Sequence, residues 1–184
     1  MATEGGGGED THVNASESRT LVVLRHAKSA WPEGVPDARR PLGPRGLRDA
    51  PVAGRWLHDR GLVPEAVVCS PALRTRQTLE LAAAGWDEAP PTEFDERIYA
   101  ADGGELVEVV RGLDATVGTA LLVGHQPGVQ DLVEFLAAGT GGEAMARLRT
   151  KFPTSGIAVL ALAGPWRDAA GRGARLLDFA VPRG

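Results

Sequence analysis

The segment LVVLRHAKSAW, residues 21–31, changes abruptly from apolar to charged side chains. Four aliphatic residues are followed at once by Arg25 and His26. A short, continuous aliphatic run is typical of a strand that is buried on both faces. Arginine and histidine seldom lie inside such a strand. The segment therefore predicts a buried strand that ends where Arg25 and His26 leave the core.

The length and composition of the chain fit one globular domain. It has 184 residues, of which 43% are hydrophobic and 24% are charged, which is close to the average for globular proteins. The formal net charge is −4, so the chain lacks the basic surface that is typical of nucleic-acid binding. An anion would have to be bound by a local cluster of arginines. The single cysteine excludes an internal disulfide and favours a reducing, cytoplasmic compartment.

The N-terminal segment differs in composition from the rest of the chain. Residues 1–19, MATEGGGGEDTHVNASESR, are rich in glycine and acidic residues and poor in apolar ones. They predict a disordered leader, followed by a single domain over residues 20–184. The sequence has neither a signal-peptide pattern nor an apolar run of the about 18 residues that a membrane span needs. We therefore expect no association with a membrane.

Short apolar runs alternate with segments of helical length in the remainder of the chain. The runs predict strands at 21–24, 66–69, 120–123 and 157–162, with a further candidate at 176–181. The intervening segments predict helices at 44–60, 72–84, 104–113 and 129–138, the first with a kink at Pro51. This alternation predicts an α/β fold in three layers, α/β/α, in which helices cover both faces of a mainly parallel sheet.

Charged and polar side chains follow three of the predicted strands. Arg25 and His26 follow the first strand, the second leads into Arg74, and His125 follows the strand at 120–123. Ligands of open α/β sheets bind beyond the carboxyl ends of the strands. The sequence therefore predicts that two arginines and two histidines form an anion site at one edge of the sheet.

The chemistry of these residues suits an anion site that contains a nucleophile. A neutral imidazole such as that of His26 is nucleophilic near pH 7 and could attack phosphorus. Arg74 opens a helix, where the dipole disfavours a cation unless an anion is nearby. His125 lies in GHQPG, where glycine permits close approach of a ligand. The alternatives are a structural histidine at position 26 and a solvent-facing loop histidine at position 125.

Three other kinds of phosphate or metal site do not fit the spacing of the sequence. Cys69 and Arg74 are one residue too close for a cysteine phosphatase loop, so Cys69 is predicted to be a buried apolar residue. His58 lies inside a predicted helix, and neither an HxH nor an HExxH pair occurs, so we expect no metal site. The sequence also lacks the GxxxxGK[ST] pattern of a nucleotide-binding loop.

Five segments of the sequence resemble the motifs of a known family in the family's order. LRHAKSAW resembles the RHG-type signature of the histidine phosphatase superfamily, in the form typical of SixA-type phosphohistidine phosphatases. The segments DARRPLGPRG, CSPALRTRQT, VGHQPG and KFPTSGIAVL are similar to the family's later motifs. The resemblance covers about residues 20–162 and implies a phosphoglycerate-mutase-like fold.

The resemblance implies a role for each matching residue. His26 would be the nucleophile that becomes phosphohistidine, and Arg25, Arg74 and His125 would hold the phosphoryl oxygens. No metal or other cofactor would be required. Mutase-like members also carry a glutamate that acts as a general acid. Glu96 is the candidate by its order in the sequence, although SixA-type members commonly lack a clear acid.

The remaining expectations concern substrate. Lys28 and Trp31 follow the nucleophile and are candidates for substrate contacts at the rim of the site, with plain surface as the alternative. The resemblance implies a metal-independent phosphatase acting on protein phosphohistidine. Two alternatives remain open: a phosphatase of small phosphorylated metabolites on the same scaffold, and a non-catalytic phosphate-binding module.

Overall fold

The computed structural model describes residues 18–184, and their centre is one mixed β-sheet. Its spatial order is β3-β2-β4-β1-β5-β6. The strands are β1 (Arg19–Arg25), β2 (Ala66–Cys69), β3 (Thr92–Phe94), β4 (Thr119–Gly124), β5 (Ile157–Leu162) and β6 (Ala174–Ala180). Strands β1 to β4 are mutually parallel, whereas β5 and β6 run antiparallel to their neighbours. The predicted mainly parallel sheet is therefore confirmed, with two antiparallel pairings at one side that the sequence did not indicate.

Helices cover both faces of this sheet. They are α1 (Pro44–Asp59), α2 (Leu73–Ala83), α3 (Gly103–Arg111), α4 (Gly128–Leu136) and α5 (Glu143–Thr150). The first four correspond to the predicted helices, with ends that differ by one or two residues. Helix α1 continues through Pro51 to Asp59. In the described part of the chain, no helix is both long enough and apolar enough to cross a membrane.

The buried run of β1 divides its side chains between two cores. Leu21 and Val23 pack with helices α3, α4 and α5 on one face, and Val22 and Leu24 pack with α1 and α2 on the other. All four are fully buried, because successive residues of a strand point to opposite faces. Covering both faces therefore requires the uninterrupted apolar run, and the predicted three-layer architecture is confirmed.

Two elements and one boundary differ from the sequence-based expectations. Strand β3 has three exposed residues, so it carries no apolar pattern. Helix α5 buries only Met145 and Leu148 among its eight residues, which is too short a stripe to predict a helix. The predicted leader spans residues 1–19. Its residues 1–17 lie outside the described part of the chain, and Arg19 already belongs to β1.

Candidate active site

The carboxyl ends of three neighbouring strands bring the predicted residues to one edge of the sheet. Strand β4 lies between β1 and β2, with Gly124 opposite Arg25 and Val123 opposite Cys69. The next residues along these chains are His26, Ser70 and His125. This common edge is the one that the strand pattern of the sequence predicted.

The imidazole of His26 is held in one tautomer. It is 8% exposed, and its Nδ1 lies 2.7 Å from the carbonyl oxygen of Ala27. Because a carbonyl can only accept, Nδ1 carries the proton and donates to it. The lone pair therefore resides on Nε2, which is the arrangement that a nucleophilic imidazole requires.

Burial keeps the imidazole of His26 neutral. It lowers the pKa of His26 to about 3 against the opposing effect of the hydrogen bond to Ala27, and His125, Arg74 and Arg25 each lower the pKa by a smaller amount. Each neighbouring positive charge disfavours the imidazolium form. At pH 7 His26 is therefore unprotonated at Nε2 and able to attack an electrophile.

His125 lies beside His26, directly after strand β4 and before helix α4. The two ring centroids are 5.2 Å apart, with their planes inclined at 53°. The Nε2 atom of His125 is 2.7 Å from the hydroxyl oxygen of Ser70. Burial, followed by the charge of Arg74, lowers the pKa of His125 to about 4. This second imidazole is therefore also neutral at pH 7.

The glycines around His125 have a packing role. A side chain at Gly128 would collide with the main-chain oxygen of Ala101, and one at Gly124 would press on Val129. The glycines of the pattern GHQPG predict tight main-chain packing as well as close approach of a ligand. The tight packing is confirmed, because Gly128 lets the start of α4 approach the segment before α3.

Arg74 is buried and is oriented by a carboxylate that sequence reasoning did not assign to the site. Its Nη1 donates to the main-chain oxygen of Asp37 at 2.7 Å, and its Nη2 donates to the carboxylate at 3.0 Å. The hydroxyl of Tyr99 and the guanidinium of Arg40 donate to the same carboxylate. Hydrogen bonds from Tyr99, Arg40 and Arg74, in that order of effect, hold the pKa of Asp37 well below its usual range. Asp37 is therefore an anion that fixes Arg74 in place.

Arg25 is anchored to the loop before β5. Its Nη1 donates to the carbonyl oxygen of Phe152 at 2.7 Å. The main-chain N–H of Ser155 lies 3.2 Å from the carbonyl oxygens of both Arg25 and His26. This loop therefore supports the main chain of Arg25 and His26, a contact for which the sequence has no signal beyond the family motif.

Several buried polar atoms around His26 have no hydrogen-bond partner. Within residues 18–184, such atoms include the Nε of Arg25, the Nδ1 of His125 and the hydroxyl of Ser155. Buried polar groups are almost always paired, so these unpaired atoms need an explanation. The guanidinium can only donate, and an anion bound beside His26 would supply an acceptor. No group of three or more metal-ligating side chains occurs in that same range.

The predicted rim residues, Lys28 and Trp31, and the candidate general acid, Glu96, lie outside this buried cluster. Lys28 and Glu96 are exposed, and their side chains make no hydrogen bond to the two imidazoles in the described structure. Trp31 is 74% exposed, with the guanidinium carbon of Arg40 3.1 Å from its ring centroid. Through Arg40, Trp31 is linked to Asp37 at the edge of the site.

Tyr99, and not the candidate acid Glu96, lies beside His125. Its ring lies edge-on to His125, with centroids 5.6 Å apart. Glu96 and Tyr99 flank one short 3₁₀ turn, which points the aromatic residue towards the imidazoles. The sequence offered no periodic signal that would have selected Tyr99 over Glu96.

The residues excluded by spacing are placed as expected. Cys69 is fully buried, and burial raises the pKa of its thiol to about 12. It is therefore not a nucleophile near neutral pH. His58 is exposed near the end of α1, away from the strand ends that carry His26 and His125.

Comparisons with known proteins agree with this geometry. Residues 21–111 match the model of a family described as the histidine phosphatase superfamily (branch 1). An uncharacterized protein of Mycobacterium tuberculosis strain H37Rv is 46% identical over 162 residues, covering 87% of this chain and 100% of that protein.

Two solved structures have the same architecture. One, from Nakamurella multipartitia and provisionally assigned as the phosphohistidine phosphatase SixA, has a TM-score of 0.81 and 33% identity, and the alignment covers 90% of this chain and 96% of that one. The other, the protein histidine phosphatase SixA complexed with tungstate, has a TM-score of 0.73 and 25% identity, with 89% and 97% covered. These similarities confirm the predicted phosphoglycerate-mutase-like fold.

Proposed function

The chain belongs to the histidine phosphatase superfamily, and we propose that it hydrolyses protein phosphohistidine through a covalent phosphoryl intermediate on His26. The observation that carries this proposal is the tautomer of His26, whose Nδ1 donates to Ala27 and whose Nε2 keeps its lone pair. A buried, neutral imidazole beside two arginines has the protonation state and the surroundings that attack on phosphorus requires.

The proposed reaction has two displacement steps. The Nε2 lone pair of His26 forms a bond to phosphorus, while the bond to the leaving group breaks with its electron pair and the leaving group takes a proton from solvent. Water then attacks phosphorus, the bond to Nε2 breaks, and inorganic phosphate departs while the proton of the water passes to solvent. His26 returns to its starting form.

Positive charge and N–H groups around His26 would stabilise the transition state. Phosphoryl transfer spreads negative charge over three equatorial oxygens, so positioning and electrostatics dominate the catalysis. Arg25 and Arg74 can each offer paired N–H groups, and His125 adds a buried ring nitrogen. The unpartnered Nε of Arg25 and Nδ1 of His125 support their assignment to phosphoryl binding. This chemistry uses no metal ion or other cofactor.

The leaving group favours phosphohistidine over an alkyl phosphate. An alkoxide leaving group needs a general acid. Glu96, the candidate for that role, is exposed and makes no hydrogen bond to His26 or His125. An imidazole departs from phosphorus more easily and needs no dedicated acid. We therefore assign no general acid, and we place Lys28 and Trp31 at the rim, where a protein substrate would contact them.

A comparison of substrates tests this assignment. The purified protein is assayed with a phosphohistidine peptide and with a panel of sugar and acyl phosphates at equal concentration, with the His26→Ala variant as the control for contaminating activity. We expect the highest kcat/KM for the phosphohistidine peptide. Much faster turnover of a metabolite would overturn the substrate class, and absence of turnover on every substrate would indicate a phosphate-binding module.

A further inference from the structure

We propose that Ser70 is a positioning residue that keeps the ring proton of His125 on Nδ1, so that this imidazole presents an N–H group to the phosphoryl oxygens. The inference rests on the proposed function only in naming a phosphoryl group as the acceptor. The tautomer itself is a property of the protein without substrate.

The contact that carries the inference joins the ends of two neighbouring strands. Ser70 follows β2 and is fully buried, and its hydroxyl oxygen is 2.7 Å from the Nε2 of His125, which follows β4. A neutral imidazole has one N–H and one lone pair. Either Nε2–H donates to Ser70, or the hydroxyl of Ser70 donates to Nε2.

The second contact of Ser70 distinguishes these two arrangements. The main-chain nitrogen of Ala72 lies 3.4 Å from the same hydroxyl oxygen, and an amide N–H can only donate. If Nε2 also donated, the proton of the Ser70 hydroxyl would have no acceptor in the described structure and would be buried unpaired. If the hydroxyl donates to Nε2, every polar atom of the Ser70 side chain is satisfied. The hydrogen bonds therefore favour the second arrangement.

This arrangement determines the protonation of Nδ1, the other ring nitrogen of His125. With Nε2 accepting, the single ring proton lies on Nδ1, which is buried and has no partner among residues 18–184. The low pKa of His125 means that the ring carries only this one proton at pH 7. In the opposite tautomer a lone pair would occupy Nδ1 and would repel a phosphoryl oxygen.

The chain offers a matched control beside Ser70. The hydroxyl of Thr75 donates to the main-chain oxygens of Ser70 and Ala72 at 2.8 and 2.7 Å. Thr75→Val removes these bonds from the same segment at nearly constant volume but leaves the hydroxyl of Ser70 in place. It reports the effect of loosening the segment without removing the proposed donor.

The first test reads the tautomer directly. Protein labelled with ¹⁵N-histidine is examined by long-range ¹H–¹⁵N correlation at pH 7 without ligand, and His125 is assigned from its absence in His125→Gln. We expect a protonated Nδ1 and an unprotonated Nε2 in the wild type and in Thr75→Val, and a shift towards protonated Nε2 in Ser70→Ala. A protonated Nε2 in the wild type, or an unchanged tautomer in Ser70→Ala, would overturn the proposal.

The second test measures anion binding without turnover. Orthovanadate affinity is measured by calorimetry for the wild type, Ser70→Ala, Ser70→Cys and Thr75→Val. We expect binding about tenfold weaker in Ser70→Ala, as for the loss of one hydrogen bond to a charged group, similarly weakened binding in Ser70→Cys, and affinity near wild type in Thr75→Val. Equal weakening in Ser70→Ala and Thr75→Val would assign Ser70 a merely structural role.

Neither test depends on the identity of the substrate. If the wild type lacked phosphatase activity but showed the Nδ1 tautomer and its loss in Ser70→Ala, the proposed function would fail while this inference held. The wild-type spectrum alone remains decisive should a Ser70 variant fail to fold.

Discussion

Arg74 is held by Asp37 through two hydrogen bonds, one to the main-chain carbonyl oxygen at 2.7 Å and one to the carboxylate at 3.0 Å. Two acceptors from one residue fix the plane of the guanidinium as well as its position. Tyr99 and Arg40 in turn hold the carboxylate. The cation that is proposed to bind the phosphoryl group is therefore oriented before substrate arrives, which is the condition for effective electrostatic stabilisation.

Removing this carboxylate should slow the reaction without abolishing it. In Asp37→Ala, Arg74 keeps the main-chain acceptor but loses the second bond that fixes its plane. We expect kcat/KM to fall about tenfold, since small misplacement of a positioning group has effects of this order or larger. The measurement is steady-state kinetics on the phosphohistidine peptide. Asp114→Ala serves as a control, because in the described part of the chain the carboxylate of Asp114 accepts hydrogen bonds only from Thr116, in its own turn. An unchanged rate in Asp37→Ala would contradict the positioning role.

The geometry of the Arg74 guanidinium should matter as well as its charge. Arg74→Lys retains the charge but loses the planar fork that binds two oxygens, and we expect kcat/KM to fall about 100-fold. Arg76→Lys is the matched control, two residues along the same helix, exposed and stacked on Phe94. Equal effects of the two substitutions would show that catalysis depends on the positive charge of helix α2 and not on the planar guanidinium of Arg74.

Both active-site imidazoles should remain neutral through mildly acidic pH. Burial lowers the pKa of His26 to about 3 and that of His125 to about 4, whereas an ordinary histidine titrates near 6.5. We expect their side-chain NMR resonances, assigned with His26→Gln and His125→Gln, to stay constant between about pH 5.5 and pH 8. A midpoint near 6.5 for either ring would contradict the neutral-nucleophile account.

The same shift makes a prediction for stability. The folded pKa of His26 lies below its unfolded value, so the unfolded chain binds more protons between about pH 6.5 and pH 3, and stability is lost as pH falls through that window. Between pH 7 and pH 4 the wild type should lose about 3 kcal/mol more free energy of unfolding than His26→Gln. Urea unfolding at the two pH values gives the comparison. Parallel losses would mean that His26 titrates normally in the folded protein.

The residues that the sequence could predict are those whose position follows from topology. His26 and His125 each follow a strand that is recognisable from its apolar residues, Arg25 is the last residue of the first of these strands, and Arg74 opens the next helix after a strand. Parallel strands bring their carboxyl ends to one edge, so these four residues could be placed together without knowledge of any loop.

The residues that the sequence could not place depend on contacts between loops. Asp37 and Tyr99 meet across 62 positions, and nothing in the local pattern of either segment indicates the other. The sequence includes Ser70 in a family motif but does not indicate its contact with His125, because this contact depends on the pairing of β2 with β4. The exposed strand β3 was not predicted for a related physical reason: it buries no side chain, so its sequence has no apolar pattern.

The central claim is that His26 carries the phosphoryl group during turnover. The most direct measurement is brief incubation with a ³²P-labelled substrate, alkaline denaturation, and mapping of the labelled peptide by mass spectrometry, with His26→Ala in parallel. The account predicts acid-labile, alkali-stable label on the peptide that contains His26 in the wild type, and neither label nor phosphate release in His26→Ala. Label on another residue, or phosphate release that persists in His26→Ala, would contradict it.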